Sequence, residues 1–255
     1  MFAMHNTKLA VYVNVFLLLF LTQSVRNVSA LDFKIKSEKE LVGQNHNVDF
    51  SSALVAPNLI ITKIEAENNV LKALVDYQDK VVSIEWRSVK ADKLAQWTER
   101  DLIQFYLLRL DLLNDTNIYN IRISKVFKAL QSTLDLMNTI PPGNIVDIYT
   151  KDYFIDSLCS EIGNKVTGIY TIQEESITET KTVGPCGSDS CMGRCGPECN
   201  IPPTPSTQRF TMDCFNHDLC TRATGNILGP CQDEFNHAVD DFFFGKDCEE
   251  ISGTW

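Results

Sequence analysis

Histidine is scarce in this chain: His5, His46, His217 and His237 are the only four among 255 residues. Imidazole chemistry therefore has few places to be. A basic excess is also missing. The formal net charge is −10, so phosphate backbones are repelled and non-specific nucleic-acid binding is excluded as a role. Cysteine is absent from residues 31–158, which excludes a cystine framework or a thiolate metal site there. After the first 21 residues no stretch is long and apolar enough to cross a bilayer as a helix. Residues 31–158 also lack a phosphate loop, an internal repeat and a nucleophile–base set, and suggest no activity of their own. Disorder is excluded by an apolar fraction of 44%, normal for a globular chain.

What is present begins with a processing segment. Lys8 supplies a positive start, residues 9–21 are apolar apart from Asn14, and Val28-Ser29-Ala30 places small residues at a cleavage point. The expectation is a signal peptide over residues 1–30, and a secreted, extracellular protein in an oxidising compartment. Asn114-Asp115-Thr116 is then a glycosylation sequon.

Cysteine divides the rest. Cys159 stands alone, and eight more fall between positions 186 and 248. That even set predicts disulfides, which a short segment with a small core needs. Cys159 is left free, or links two chains, or belongs with the other eight and the division falls elsewhere. Residues 31–183 read as an α+β region. Strands are expected near 59–64 and 81–86, from short β-branched runs. A helix is expected within 92–113, with Ile103, Leu107, Leu110 and Leu113 on one face. A second carries Ile123, Phe127, Leu130, Leu134 and Met137 toward a core, and Pro141-Pro142-Gly143 stops it. Residues 172–185, rich in Thr, Ser and Glu, read as a linker. The small, disulfide-rich and mainly α-helical region is assigned to residues 184–255.

The chemistry concentrates in Cys214-Phe215-Asn216-His217-Asp218-Leu219-Cys220. The pattern predicts a helix capped by Thr211 and ended by Gly225. Cysteines one turn to either side of His217 would hold its turn rigid, which suits a general base. A second helix starts near Pro230, carries Phe235, Ala238, Val239 and Phe242 at core spacing, and closes at Gly245. Phe242-Phe243-Phe244 is either core at the end of that helix or an aromatic lip. Cys214, His217 and Cys220 also compose a zinc-type ligand set, though oxidised cysteines serve poorly in one.

Cys-x-x-His-Asp-x-Cys, read over 214–220, resembles the active-site helix of secreted phospholipases A2. Gly193-Arg194-Cys195-Gly196-Pro197-Glu198-Cys199 resembles that family's calcium loop at its Cys-Gly core, and Cys231-Gln232-Asp233-Glu234-Phe235 resembles the start of its next helix. The resemblance covers about 186–248. It implies calcium-dependent hydrolysis of a phospholipid sn-2 ester, with a phospholipid or membrane surface as partner. His217 is then the base and Asp218 a Ca²⁺ ligand, with backbone carbonyls of Arg194, Gly196 and Glu198; the Gly196 N–H is an oxyanion donor. It also implies the bridges Cys195–Cys214 and Cys220–Cys231. The chain departs from the family in four places. Asp213 replaces the first of the paired cysteines before the histidine, and Thr221 stands where the animal enzymes often have tyrosine. Glu198 stands where a loop glycine is usual, and Gln232 where an aspartate orients the histidine, with Asp233 one step away. A binding protein without catalysis on the same scaffold is a second reading, and a purely structural cysteine-rich module appended to the α+β region a third.

Overall fold

The computed structural model describes residues 31–248, apart from 38, 46, 116–123, 152–153, 185–190 and 197–208. The expected leader, Ile123, Thr116 of the sequon and Glu198 lie outside the described residues. Among those described, no helix is long and apolar enough to cross a membrane.

An antiparallel meander opens the structure: β1 (Asp32–Ser37), β2 (Glu40–Asn45), β3 (Val48–Ala56), β4 (Leu59–Ala66), β5 (Asn69–Asp76) and β6 (Val81–Ser88), each paired with the next. Both expected strands are here, as β4 and β6. Alternation explains the sheet. In β4, Ile60, Thr62, Ile64 and Ala66 are buried while Lys63 and Glu65 face water, the period-2 pattern of a sheet with one covered face. The short β7 (Lys93–Leu94) and β8 (Asp147–Lys151) both pair with β6.

Two helices follow β7. The first, α1 (Glu99–Asn114), starts later than its apolar pattern suggests, because Thr98 and Asp101 form a reciprocal capping box. Its buried face holds Phe105, Leu108 and Leu112; Ile103 and Leu107 are exposed. Of the expected stripe, Leu113 is buried and Leu110 half-buried, so spacing alone finds the end of the buried face and misplaces its start. Trp86, Trp97 and Phe105 meet edge-to-face at 4.9–5.7 Å and fix its start to the sheet.

The second, α2 (Lys125–Thr139), is capped by Ser124 and buries nearly every position from Val126 to Met137, including Gln131, Ser132, Thr133 and Asp135. A helix buried all round lies between two layers. One layer is the sheet, where Ser52 donates to the Val126 carbonyl at 2.9 Å. The other is the cysteine-rich region, which contributes Cys195, Cys214, Phe235, Phe242 and Phe243 to the same core as Leu130, Leu134 and Met137.

The expected linker is structured. β9 (Lys165–Ile172) and β10 (Glu175–Thr182) form a hairpin where residues 172–185 read as a linker. Alternating Thr and Glu on an exposed hairpin resembles a linker in composition, since only every other residue meets the core. Tyr170 and Leu158 pack with Phe210, Phe215 and Leu219 in a second core. Cys159 is neither free nor an interchain link: it is bonded to Cys248, 89 residues away. The last elements are α3 (Met212–Thr224), a 3₁₀ turn at Gly229–Cys231, α4 (Gln232–Ala238) and α5 (Asp241–Phe244). Phe242 and Phe243 are buried, so the triple phenylalanine is core and not an aromatic lip.

Candidate active site

Helix α3 carries the site. Thr211 Oγ1 accepts from the Cys214 N–H at 3.2 Å and closes the helix start. Gly225, at φ 72°, ends it in the left-handed conformation. Two bridges hold the turn between. Cys195–Cys214 ties it to the preceding loop and Cys220–Cys231 to the next helix, the two pairings the resemblance implies. Cys191 is disulfide-bonded as well. A zinc set at Cys214, His217 and Cys220 is thereby removed, because both sulfurs are in cystines. The hairpin supports α3 from behind. Gly168 brings β9 so close that a Cβ there would stand 2.6–2.8 Å from Asn216, Leu219 and Phe215. Asn216 Oδ1 then accepts from the Ile169 N–H at 2.9 Å.

Cys214 and Thr221 each lie three or four residues from the adjacent pair His217 and Asp218, so the four border one side of α3. That face lines a cavity of about 310 Å³. Arg194, Cys195 and Gly196 form a second wall, and Ile227 and Phe242 contribute to a third. The remaining wall comes from the other region: Asn138 and Thr139, at the end of α2. Sequence reasoning missed these two, since nothing local marks a residue that arrives from another layer.

His217 is buried, with 7% of its surface exposed. Its Nε2 lies 2.8 Å from the Ile227 carbonyl. A carbonyl only accepts, so Nε2 carries the proton, and the lone pair of the neutral ring is on Nδ1. Burial pushes the imidazole below its ordinary 6.5, opposed by the Ile227 carbonyl and by the charge of Glu234. The neutral, base-competent form is thus favoured near pH 7. Phe235 packs against the ring at 5.4 Å.

Asp218 accepts the Gly193 N–H at 2.7 Å. Desolvation pushes its carboxyl up to about 8, against the Gly193 N–H and the Arg194 guanidinium. A desolvated carboxylate so placed gains most from a divalent cation. Gly193 and Gly196 have φ of 89° and 124°, which lets this loop turn beside the carboxylate. Gly196 also abuts Asp135 of α2, whose Cβ lies 3.8 Å from where a glycine Cβ would sit. Asp135 is held by a buried ion pair with Arg109 of α1.

Neither expected orienting side chain reaches the histidine. Gln232 is exposed and donates to Asn236 Oδ1 at 2.9 Å, and Asp233 is exposed on α4. The orienting acceptor is the Ile227 backbone, which no side-chain pattern encodes. The carboxylate facing this neighbourhood is Glu234, buried and accepting from the Thr171 N–H at 2.6 Å. Cys195, Cys214 and Asp241 also bring potential metal ligand atoms within 4.8 Å of one another, but those sulfurs are the ones in the bridge.

The fold and site define a cystine-braced helical region, with a histidine–aspartate pair in a cavity closed on one side by the end of α2. Residues 177–253 are similar to a family described as a domain of unknown function (DUF8213), under a third of the chain. Neither the curated proteins nor the solved structures contain a match.

Proposed function

We propose that this protein is a secreted, calcium-dependent hydrolase of phospholipid sn-2 esters, of the phospholipase A2 type. The observation that carries the reading is that His217 and Asp218 line one cavity with the Arg194–Cys195–Gly196 loop, and that Ile227 fixes the proton of His217 on Nε2. An oxygen-preferring cation suits the donors present. Asp218, together with backbone carbonyls of Arg194, Gly196 and Glu198, would hold it. Bound there, Ca²⁺ would polarise the ester carbonyl. His217 Nδ1 takes a proton from the water whose oxygen bonds to the ester carbonyl carbon, Ile227 steadies the imidazolium, and the proton passes to the sn-2 glycerol oxygen as the C–O bond breaks and the fatty acid leaves. The Gly196 N–H donates to the developing oxyanion. Phe242 and Phe235 keep the histidine side of the cavity dry.

One observation favours a second reading. The Arg194 guanidinium already attracts the Asp218 carboxylate. An internal cation of that kind suits a binding protein that uses neither calcium nor catalysis.

Fatty-acid release from a short-chain phospholipid, dispersed below its aggregation concentration, separates the two. Release that depends on calcium and disappears in His217→Gln supports the hydrolase. Release no greater than that variant's leaves the binding reading.

A further inference from the structure

A wide groove lies beside the histidine cavity and not within it. Its volume is about 800 Å³. One wall is β8 with its flanks, from the meander region, and the other is α4. Phe235 separates the two spaces: it lines the groove, and its ring packs on His217. The rim on the β8 side is apolar and open. Ile145, Tyr149 and Phe154 all line the groove and are 65%, 74% and 75% exposed. Three large apolar side chains gathered at one opening mark a contact surface.

The charges around them identify its occupant. Asp147, Tyr149 and Lys151 are the exposed positions of β8, so a carboxylate and an ammonium flank an aromatic ring along one edge. His237 stands across the groove on α4. Aromatic faces and a carboxylate together receive a quaternary ammonium, and Lys151 receives a phosphate. That pairing fits a zwitterion. An anionic surface would instead meet a chain of net charge −10.

We propose that the β8 rim, built on Ile145, Tyr149 and Phe154, docks the protein on zwitterionic, phosphatidylcholine-type lipid surfaces. The assignment rests on the hydrolase reading above for its lipid partner. It also explains why a β-meander accompanies the site, since the sheet edge supplies the landing surface while α3 supplies the chemistry. Such a contact needs no spanning segment, because side chains enter only the headgroup layer.

The decisive experiment uses the full chain. Co-sedimentation is measured with phosphatidylcholine vesicles and with phosphatidylglycerol vesicles, for the parent, for Tyr149→Ser/Phe154→Ser, and for Tyr149→Phe. Hydrolysis of dispersed short-chain phosphatidylcholine is measured alongside, because that substrate presents no surface. The parent is expected to prefer phosphatidylcholine vesicles. The double variant should lose about tenfold or more in partitioning, the contribution of two aromatic rings, while Tyr149→Phe retains it. Hydrolysis of the dispersed lipid should be unchanged in both. A parent that ignores phosphatidylcholine, or that prefers phosphatidylglycerol, overturns the assignment. So does a double variant that sediments like the parent, or one whose only change is loss of self-association in analytical ultracentrifugation. Failure on vesicles with intact hydrolysis of dispersed lipid removes the docking surface alone. Loss of hydrolysis in the parent, with phosphatidylcholine binding intact, removes the enzyme and keeps the surface.

Discussion

The Nε2 of His217 stands 2.8 Å from the carbonyl oxygen of Ile227, ten residues further along the chain and beyond the end of its helix. This contact sets which nitrogen is free to act as base. Truncating the imidazole in His217→Gln should reduce ester hydrolysis by about 10²–10⁴-fold, the usual worth of a general base. Circular dichroism should show an unchanged fold, because the bridges and not this bond anchor α3. Activity surviving in His217→Gln would remove the histidine from the mechanism.

Asp218 makes the protein pH-sensitive in a defined direction. Its carboxyl is raised from an ordinary 3.8 to about 8 in the folded chain. A raised folded-state value favours the protonated form, so this group's contribution to stability is complete below about 4 and is lost as pH rises through about 8. In chelator, thermal melts should therefore show destabilisation between those values that Asp218→Asn lacks. Calcium needs the ionised carboxylate, so its affinity should fall as pH is lowered below about 8 and vanish in Asp218→Asn by calorimetry. Equal calcium affinity in parent and variant would remove Asp218 as a ligand.

The sequence disclosed α3 almost completely. Its cap, its glycine stop, its two stapling cysteines and the adjacent His217 and Asp218 are all local signals, and each acts within about two turns. The meander was legible only in β4 and β6, where β-branched runs are densest. What stayed hidden was non-local. Asn138 and Thr139 reach the cavity from α2 across a layer boundary, and Ile227 acts through its backbone, which every residue type shares. Gln232 and Asp233 fall short of Glu234, the buried carboxylate of that helix. Both are exposed, and spacing alone does not say which position of α4 turns inward.

The bond between Cys159 and Cys248 closes a long loop and joins the start of the cysteine-rich region to its end. Restricting the unfolded chain over such a loop is worth about 2–5 kcal/mol. Cys159→Ser/Cys248→Ser should lower urea stability by that amount while leaving the site bridges intact. Non-reducing electrophoresis of the parent should show no reducible dimer that depends on Cys159. A reducible dimer through Cys159 would contradict the intramolecular bond.

Gly168 offers a test that leaves every candidate catalytic group in place. Its missing side chain lets β9 lie against α3, where a Cβ would approach the Asn216 Oδ1 and the Phe215 and Leu219 side chains to within 2.6–2.8 Å. Two of these contacts are buried, and Phe215 and Leu219 have no room to retreat. Gly168→Ala should therefore cost about 1–3 kcal/mol, as overpacking does. The displaced residues immediately precede and follow His217 and Asp218, so strain at the hairpin is transmitted to the site. The expected signature is a lower kcat with the same pH profile, since His217 keeps its Ile227 partner while its aim shifts. Full activity together with lost stability would show instead that the two bridges alone hold the turn, and that the hairpin serves folding only.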